Sequence, residues 1–322
     1  MSLPPLILER RLDSRLWGGE TLGPWLGLER PPAQLAESWQ VYDQNRVADG
    51  PHAGRTLAEL TKTFGAALIG TTSFERHGAS FPLLAKFIDA ADHLSIQVHP
   101  DDHYAHTVEA ATGFNGKTEA WYILRAAPGA ELFHGLNAAS SREQFAAAIA
   151  DGSVLDLLRR VAVAPGDTIF VPAGTVHAIN AGIMLFEIQQ TSDLTYRVYD
   201  YDRRDAQGHT RELHLDRALD VIDYRASGPA QTTPEALGPG RSLLVQCPYF
   251  RMERWEFGGP TACETNAASF TILTVVDGSA RLTSAHGELH LQRGESVVLP
   301  ATMGSYTLAP HPSAVILACS AI

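Results

Sequence analysis

The stretch SIQVHPDD, Ser95 to Asp102, sets a glutamine and a histidine two residues apart inside an apolar run. Along an extended strand residues i and i+2 share a face, so Gln97 and His99 project together while Ile96 and Val98 point the other way. A polar pair turned into a protein interior is costly unless it is hydrogen-bonded or coordinates something. Two further residues stand in similar strand-and-turn settings, Glu119 in NGKTEAWYIL and His177 in VPAGTVHAI. A glutamine oxygen, two imidazole nitrogens and a carboxylate make an oxygen and nitrogen donor set suited to zinc, with room for a water or a substrate oxygen. The expectation is a single zinc ion in each chain, held by Gln97, His99, Glu119 and His177. Taken singly, His99, His177 or Glu119 is more often a hydrogen-bonded or surface residue than a ligand. Their joint placement beside Gly, Pro or strand ends is what points to a metal. His103 and His106 in DDHYAH have helical spacing after Pro100, which assigns them to the rim of the site or to solvent. His134, His209, His214 and His290 have no companions in sequence to complete a donor set.

The elements that must position these residues read as mainly β. Short apolar runs of strand length, among them LLAKFIDA, LSIQVHP, AWYILRA, TIFVPAG and MLFEIQQ, are each bounded by Gly, Pro, Asn or Asp. Helix is expected over 141–161, with Ser141 as N-cap and Gly152 as a stop, and over 214–223. The segment 226–242, ASGPAQTTPEALGPGRS, lacks periodicity and reads as a linker or long loop. It would separate a catalytic unit of residues 1–225 from a second β unit of residues 243–322. A faint repeat relates the two. APGDTIFVPAGTVHAI from Ala164 and QRGESVVLPATMGSYTL from Gln292 share a glycine, an acidic residue, a strand, and a proline opening a short turn. The first copy then reaches His177 and the second Ser305, so a duplicated barrel is expected whose second half has a structural role.

Bulk properties narrow the function classes. The 322-residue chain is long enough for about two domains. No apolar run approaches the roughly 20 residues that span a bilayer, so no membrane partner is expected. With 25 basic against 36 acidic residues the net charge is −11, which argues against broad contact with nucleic acid. A small anion needs only a local basic cluster and stays possible. The N-terminal sequence has no basic region ahead of its apolar patch and does not read as an export signal, so the cytoplasm is expected. Cys247, Cys263 and Cys319 are widely spaced without a CxxC pair, which fits a reduced compartment and a packing role.

Several strings together resemble the type I mannose-6-phosphate isomerases in their short bacterial form, a family of the cupin superfamily. They are FPLLAKFIDA, LSIQVHPDD, GKTEAWYIL, VPAGTVHAI and EIQQTSDLTYRVYDYDR, with RLWGG and AESWQVYD near the start. The likeness runs from about residue 10 to 220, and the C-terminal third matches in outline. PAGTVHAI alone is a general cupin pattern, G-x5-P-x-G-x2-H, whereas QVHPDD with GKTEAW and SDLTYRVYD is far more specific. The usual cupin first motif carries two histidines. Glutamine in the first place departs from the iron-binding cupins and agrees with the isomerases. The resemblance implies two cupin-type jelly-roll β-barrels with a small helical insertion, and zinc on Gln97, His99, Glu119 and His177.

The implied reaction interconverts D-mannose 6-phosphate and D-fructose 6-phosphate by proton transfer between C1 and C2 through a cis-enediol. By resemblance Ser95, Lys117 and Arg197 fall on active-site positions. Lys117, on the same strand side as Glu119, would sit beside the metal and take part in proton transfer, or else bind only the phosphate or a sugar hydroxyl. Arg197 offers a planar fork for a phosphate or an enediolate oxygen, or else an ion pair with Asp193 or Asp200. Asp193 could relay a proton in ring opening, and Ser95 could donate to the phosphate. Lys86 interrupts an apolar strand and either points at the pocket or is a paired structural lysine. Two other readings compete, a metal-dependent cupin oxygenase and a non-catalytic sugar-phosphate sensor. The glutamine, lysine and arginine speak against the first, and the lack of a basic helix-turn-helix region against the second. The small-molecule partner is a phosphosugar, and the chain is expected to be a monomer or a homodimer.

Overall fold

A computed structural model describes residues 2–204 and 207–322. The chain folds mainly into β-strands in two cupin-type halves. In the first half a six-stranded sheet runs in the order Arg11–Gly19, Leu35–Val41, Leu83–Ala90, Ile183–Gln190, Glu119–Ala126, Thr168–Val171. A five-stranded sheet runs Tyr196–Tyr199, Ile96–Val98, His177–Ala178, Glu131–Leu136, Leu158–Ala162. The second half lies in a nine-stranded sheet, which includes Leu6–Ile7 of the first half and is built around two long strands, Thr271–Ser284 and Ser305–Ala321.

Strand alternation sorts the side chains into layers. On Leu83–Ala90 and Ile183–Gln190, Leu83, Ala85, Phe87, Met184, Phe186 and Ile188 turn outward, into a core completed by Phe250, Phe270, Ile272 and Leu317 of the second half. The intervening residues Lys86, Ile88, Leu185, Glu187 and Gln189 face the other way, toward the five-stranded sheet. Glu119–Ala126 does the same, with Ala120 and Tyr122 outward and Trp121 and Ile123 in the inner core. On the five-stranded sheet Ile96 and Val98 pack outward under Phe145, Ala148, Ala218 and Leu219 of the helices, so Gln97 is left facing inward.

The helical insertion is shorter than 141–161. Helix Arg142–Asp151 starts at a capping box between Ser141 and Gln144 and stops at left-handed Gly152, and Val154–Leu157 adds one turn. Leu158–Ala162 is instead a strand, paired with Glu131–Leu136, because LRRVA finds a sheet edge there. Helix Leu215–Val221 lies within the expected 214–223. Three helices absent from the sequence reading, Leu57–Phe64, Ala66–Ile69 and Thr71–His77, are separated by Gly65 and Gly70, both at positive φ. A Cβ on Gly70 would come within 2.3 Å of the Ala268 backbone, so glycine there permits a close approach to the second half.

Segment 226–242 is hydrogen-bonded along much of its length. Ser227 donates to Leu136 O, Phe170 donates to Ala230 O, and Thr232 donates to Thr168 O. Its later part forms strand Glu235–Gly238 and the start of Arg241–Gln246. The three cysteines are free and buried. Among the described residues no helix is long and apolar enough to cross a membrane.

Candidate metal centre and active-site cavity

The four residues named from the sequence meet between the two sheets. Gln97 and His177 are register partners on adjacent strands of the five-stranded sheet, and His99 follows Val98 directly. Glu119 comes from the start of its strand in the opposite sheet. Ligand atoms of His99, Glu119 and His177 all lie within 4.8 Å of one another, and all three residues are buried. His177 Nε2 stands 3.2 Å from Glu119 Oε1, and His99 Nε2 3.6 Å from Oε2.

The hydrogen bonds around these groups fix their tautomers. His99 Nδ1 lies 2.8 Å from Leu194 O and His177 Nδ1 2.8 Å from Thr175 O. A carbonyl only accepts, so each Nδ1 carries the proton and each Nε2 turns a lone pair toward Glu119. His99 Nε2 accepts from Lys117 Nζ at 3.0 Å, and His177 Nε2 from the Gln97 amide at 3.3 Å. Glu119 Oε1 is buried and receives no hydrogen bond. Acceptors therefore converge with one left unmatched, as an interior place for a cation requires. Rotation of the Gln97 amide by half a turn would add a fourth donor atom, Oε1. This neutral and anionic N/O set fits zinc. Burial and the Lys117 ammonium hold His99 well below the ordinary histidine range, so its Nε2 stays available. Burial alone would raise Glu119, but the adjacent Lys117 ammonium overrides it and holds the carboxylate well below the ordinary range.

Beside the donors lies a cavity of about 230 Å³. Ser95, Gln97, Lys117, Asp193 and Arg197 all line it, while His99, Glu119 and His177 sit behind. Lys117 Nζ donates to Glu119 Oε2 at 2.6 Å. Ser95 is buried and Asp193 exposed. Arg197 makes no ion pair among the described residues. Its Nε is buried without an acceptor, and Asp200 is held instead by Arg203 and, at 3.7 Å, Arg211.

Lys86 both lines the cavity and is paired, 2.7 Å from Glu37 Oε1 and 3.6 Å from Glu187 Oε1. With Lys117 Nζ 3.9 Å from Glu187, the charges Glu119, Lys117, Glu187, Lys86 and Glu37 alternate in sign along a buried row. Sequence reasoning missed Glu187 and Glu37. Glu187 receives Trp121 Nε1 at 3.1 Å on Oε2, and its Oε1 has no hydrogen-bond donor. Burial, then the Glu119 charge, raises the Glu187 carboxyl above the ordinary range. An acidic residue alone inside MLFEIQQ was the available signal, since an apolar run on a two-faced sheet has no other reason to hold a carboxylate. His103 and His106 are exposed on helix Asp102–Thr107. His134 is buried, its Nε2 on Phe170 O.

A cupin half holding a His, His, Glu donor set behind a small, highly charged cavity defines a metal-binding enzyme of the cupin superfamily. The comparisons carry this further. The family model of the phosphomannose isomerase type I catalytic domain matches residues 6–120, and that of the mannose-6-phosphate isomerase cupin domain matches 241–317. Mannose-6-phosphate isomerase ManA of Bacillus subtilis is 36% identical, covering 98% of this chain and 99% of its own. The mannose-6-phosphate isomerase of Streptococcus mutans is 37% identical over 94% of each. The crystal structure of the Bacillus subtilis mannose 6-phosphate isomerase matches with a TM-score of 0.87 at 35% identity, covering 99% of both chains. A zinc-bound mannose 6-phosphate isomerase shares the fold at 19% identity, with a TM-score of 0.78 over 97% of this chain and 98% of its own. The chain belongs to the type I mannose-6-phosphate isomerases.

Proposed function

We propose that the protein interconverts D-mannose 6-phosphate and D-fructose 6-phosphate, with zinc held by Gln97, His99, Glu119 and His177. The observation that carries this is the convergence of His99 Nε2, His177 Nε2 and an undonated Glu119 oxygen behind a polar cavity. When bound there, zinc supplies Lewis-acid stabilisation for charge developing on O1 and O2. The chain's own groups do the rest. In the forward direction a proton leaves C2 of the open-chain aldose and returns to C1, while the O2 proton is lost and O1 gains one.

Lys117 is the proton-transfer residue of this reading, since it stands at the cavity against both His99 and Glu119. Glu187, 3.9 Å from Lys117 with a carboxyl raised by burial, can exchange a proton with it or with the substrate. Arg197 presents an unpaired guanidinium to sugar or phosphate oxygens, Ser95 donates a hydroxyl, and Asp193 at the exposed side assists ring opening. The catalytic unit is residues 1–225 and the second unit 243–322, working as a cytoplasmic monomer or homodimer with a single zinc in each chain.

A coupled assay of fructose 6-phosphate formation tests this. Activity should vanish on chelation and return with zinc. A purified, zinc-loaded chain that leaves mannose 6-phosphate unchanged would refute the reading. Oxygen uptake by the metal-loaded protein would favour an oxygenase.

A further inference from the structure

The cavity is far more basic than the molecule that contains it. Six cationic side chains line it, Arg11, Arg15, Lys86, Lys117, Arg197 and Arg211, against the carboxylates of Glu37, Glu187 and Asp193, in a chain of net charge −11. Lys86 and Lys117 are matched by Glu37, Glu119 and Glu187. Arg11 bonds Asp13 at 2.8 Å and lies over the Trp39 ring at 4.8 Å. Arg197 makes no ion pair among the described residues, and the remaining two are poorly neutralised. Arg15 only shares Asp13 with Arg11, at 3.2 Å, and Arg211 stands 3.7 Å from an Asp200 already bound by Arg203.

Arg15 and Arg211 also share a position. Together with Trp17 they line both this cavity and an adjoining one of about 390 Å³, so they stand where the two meet. Arg197 lines the same cavity, so three guanidiniums face one enclosed space. Like charges gathered at a cavity are unfavourable alone, and an anion relieves the repulsion. Neither Arg15 nor Arg211 bonds a metal-donor residue, unlike Lys117. A hexose 6-phosphate reacts at C1 and C2 and carries its dianion at the other end of the carbon chain.

We propose that Arg15 and Arg211 form the clamp for the substrate's phosphate, leaving Arg197 and Lys117 for the sugar oxygens nearer the metal donors. This rests on the isomerase reading for its substrate and on the cavity lining for its anion. Arginine forks suit the planar recognition of phosphate oxygens, and a phosphate monoester is the ligand class.

The test uses zinc-loaded full-length enzyme, Arg15→Gln, Arg211→Gln and the double variant, with inorganic phosphate as probe. Phosphate binding, followed by calorimetry and by Trp17 fluorescence, should weaken about tenfold for each substitution, as expected on losing a charge-assisted hydrogen bond. KM for mannose 6-phosphate should rise in step, with kcat moving much less and zinc content kept. Arg15→Lys and Arg211→Lys, which keep charge but lose the fork, should fall between. Phosphate affinity and KM within twofold of wild type in the double variant would overturn the clamp, as would a loss confined to Arg197→Gln. Should the wild type fail to isomerise mannose 6-phosphate while the variants still lose phosphate, the isomerase reading falls and the anion site stands.

Discussion

Two carbonyl oxygens decide what the histidines can do. Leu194 O and Thr175 O hold the Nδ1 protons of His99 and His177, so both imidazoles meet Glu119 as lone-pair donors. Glu119→Gln keeps the shape and removes the charge. It should weaken zinc binding by more than the 10–100-fold typical of losing an outer-shell partner, read by metal analysis after dialysis. Lys117→Met should instead keep its zinc and lose turnover by about 10²–10⁴-fold, the usual worth of a positioned proton-transfer group. Ordinary rates in that variant would remove Lys117 from the chemistry. The convergence of these side chains was legible because a period of two puts Gln97 and His99 on one face, and because the turn before His177 is punctuated by Gly166, Pro172 and Gly174. Glu187, Arg15 and Arg211 were not, since their meaning lies in which strands and loops neighbour them in space.

The strands explain why that neighbour information stays hidden. Lys86 meets Glu187 by register between Leu83–Ala90 and Ile183–Gln190, and reaches Glu37 from Leu35–Val41, strands about 100 and about 50 residues away in sequence respectively. Burial alone would lower Lys86, but Glu187 and Glu37 hold its ammonium above the ordinary lysine range. Burial alone would raise Glu37, but Lys86 holds its carboxyl below the ordinary range. The sign follows for each. The depressed Glu37 contributes stability present above its unfolded pKa of about 4.3 and lost as pH falls through its folded value. The raised Lys86 contributes stability present below about 10.4 and lost as pH rises through its folded value. Lys86→Met leaves buried carboxylates unmatched and should cost about 3–5 kcal/mol near neutrality, read by denaturant unfolding. Adding Glu37→Gln should recover part of that loss. The repeat, by contrast, was legible at this scale and extends to single hydrogen bonds. Ala164 N donates to Asp167 Oδ2 and Gln292 N to Glu295 Oε2, at 2.9 and 2.8 Å, and Thr175 and Met303 donate to Pro172 O and Pro300 O. Glycine-punctuated helices such as Leu57–Phe64 carried too few turns of periodicity to stand out.

At the scale of the whole molecule the two halves share one core. Phe81 and Phe270 approach to 4.5 Å between ring centroids, Phe87 and Phe186 join the same cluster, and Leu6–Ile7 pairs with Val297–Val298 of the second half's sheet. The outward residues of Leu83–Ala90 and Ile183–Gln190 are therefore sealed by the second half, while the inward residues of the same strands build the cavity. Loss of that seal would expose the apolar face of the sheet that carries Glu119, Lys86 and Glu187, so the second half holds the shape of the half that carries the His99, Glu119 and His177 cluster. Unfolding should be a single cooperative step. Phe270→Ala removes a fully buried aromatic and should cost about 3–5 kcal/mol. It should lower the denaturant midpoint equally when followed by zinc release from the first half or by Trp255 fluorescence in the second. Midpoints that separate, with zinc retained after the second half has unfolded, would show that the first half stands alone and that the shared core is only contact between independent units.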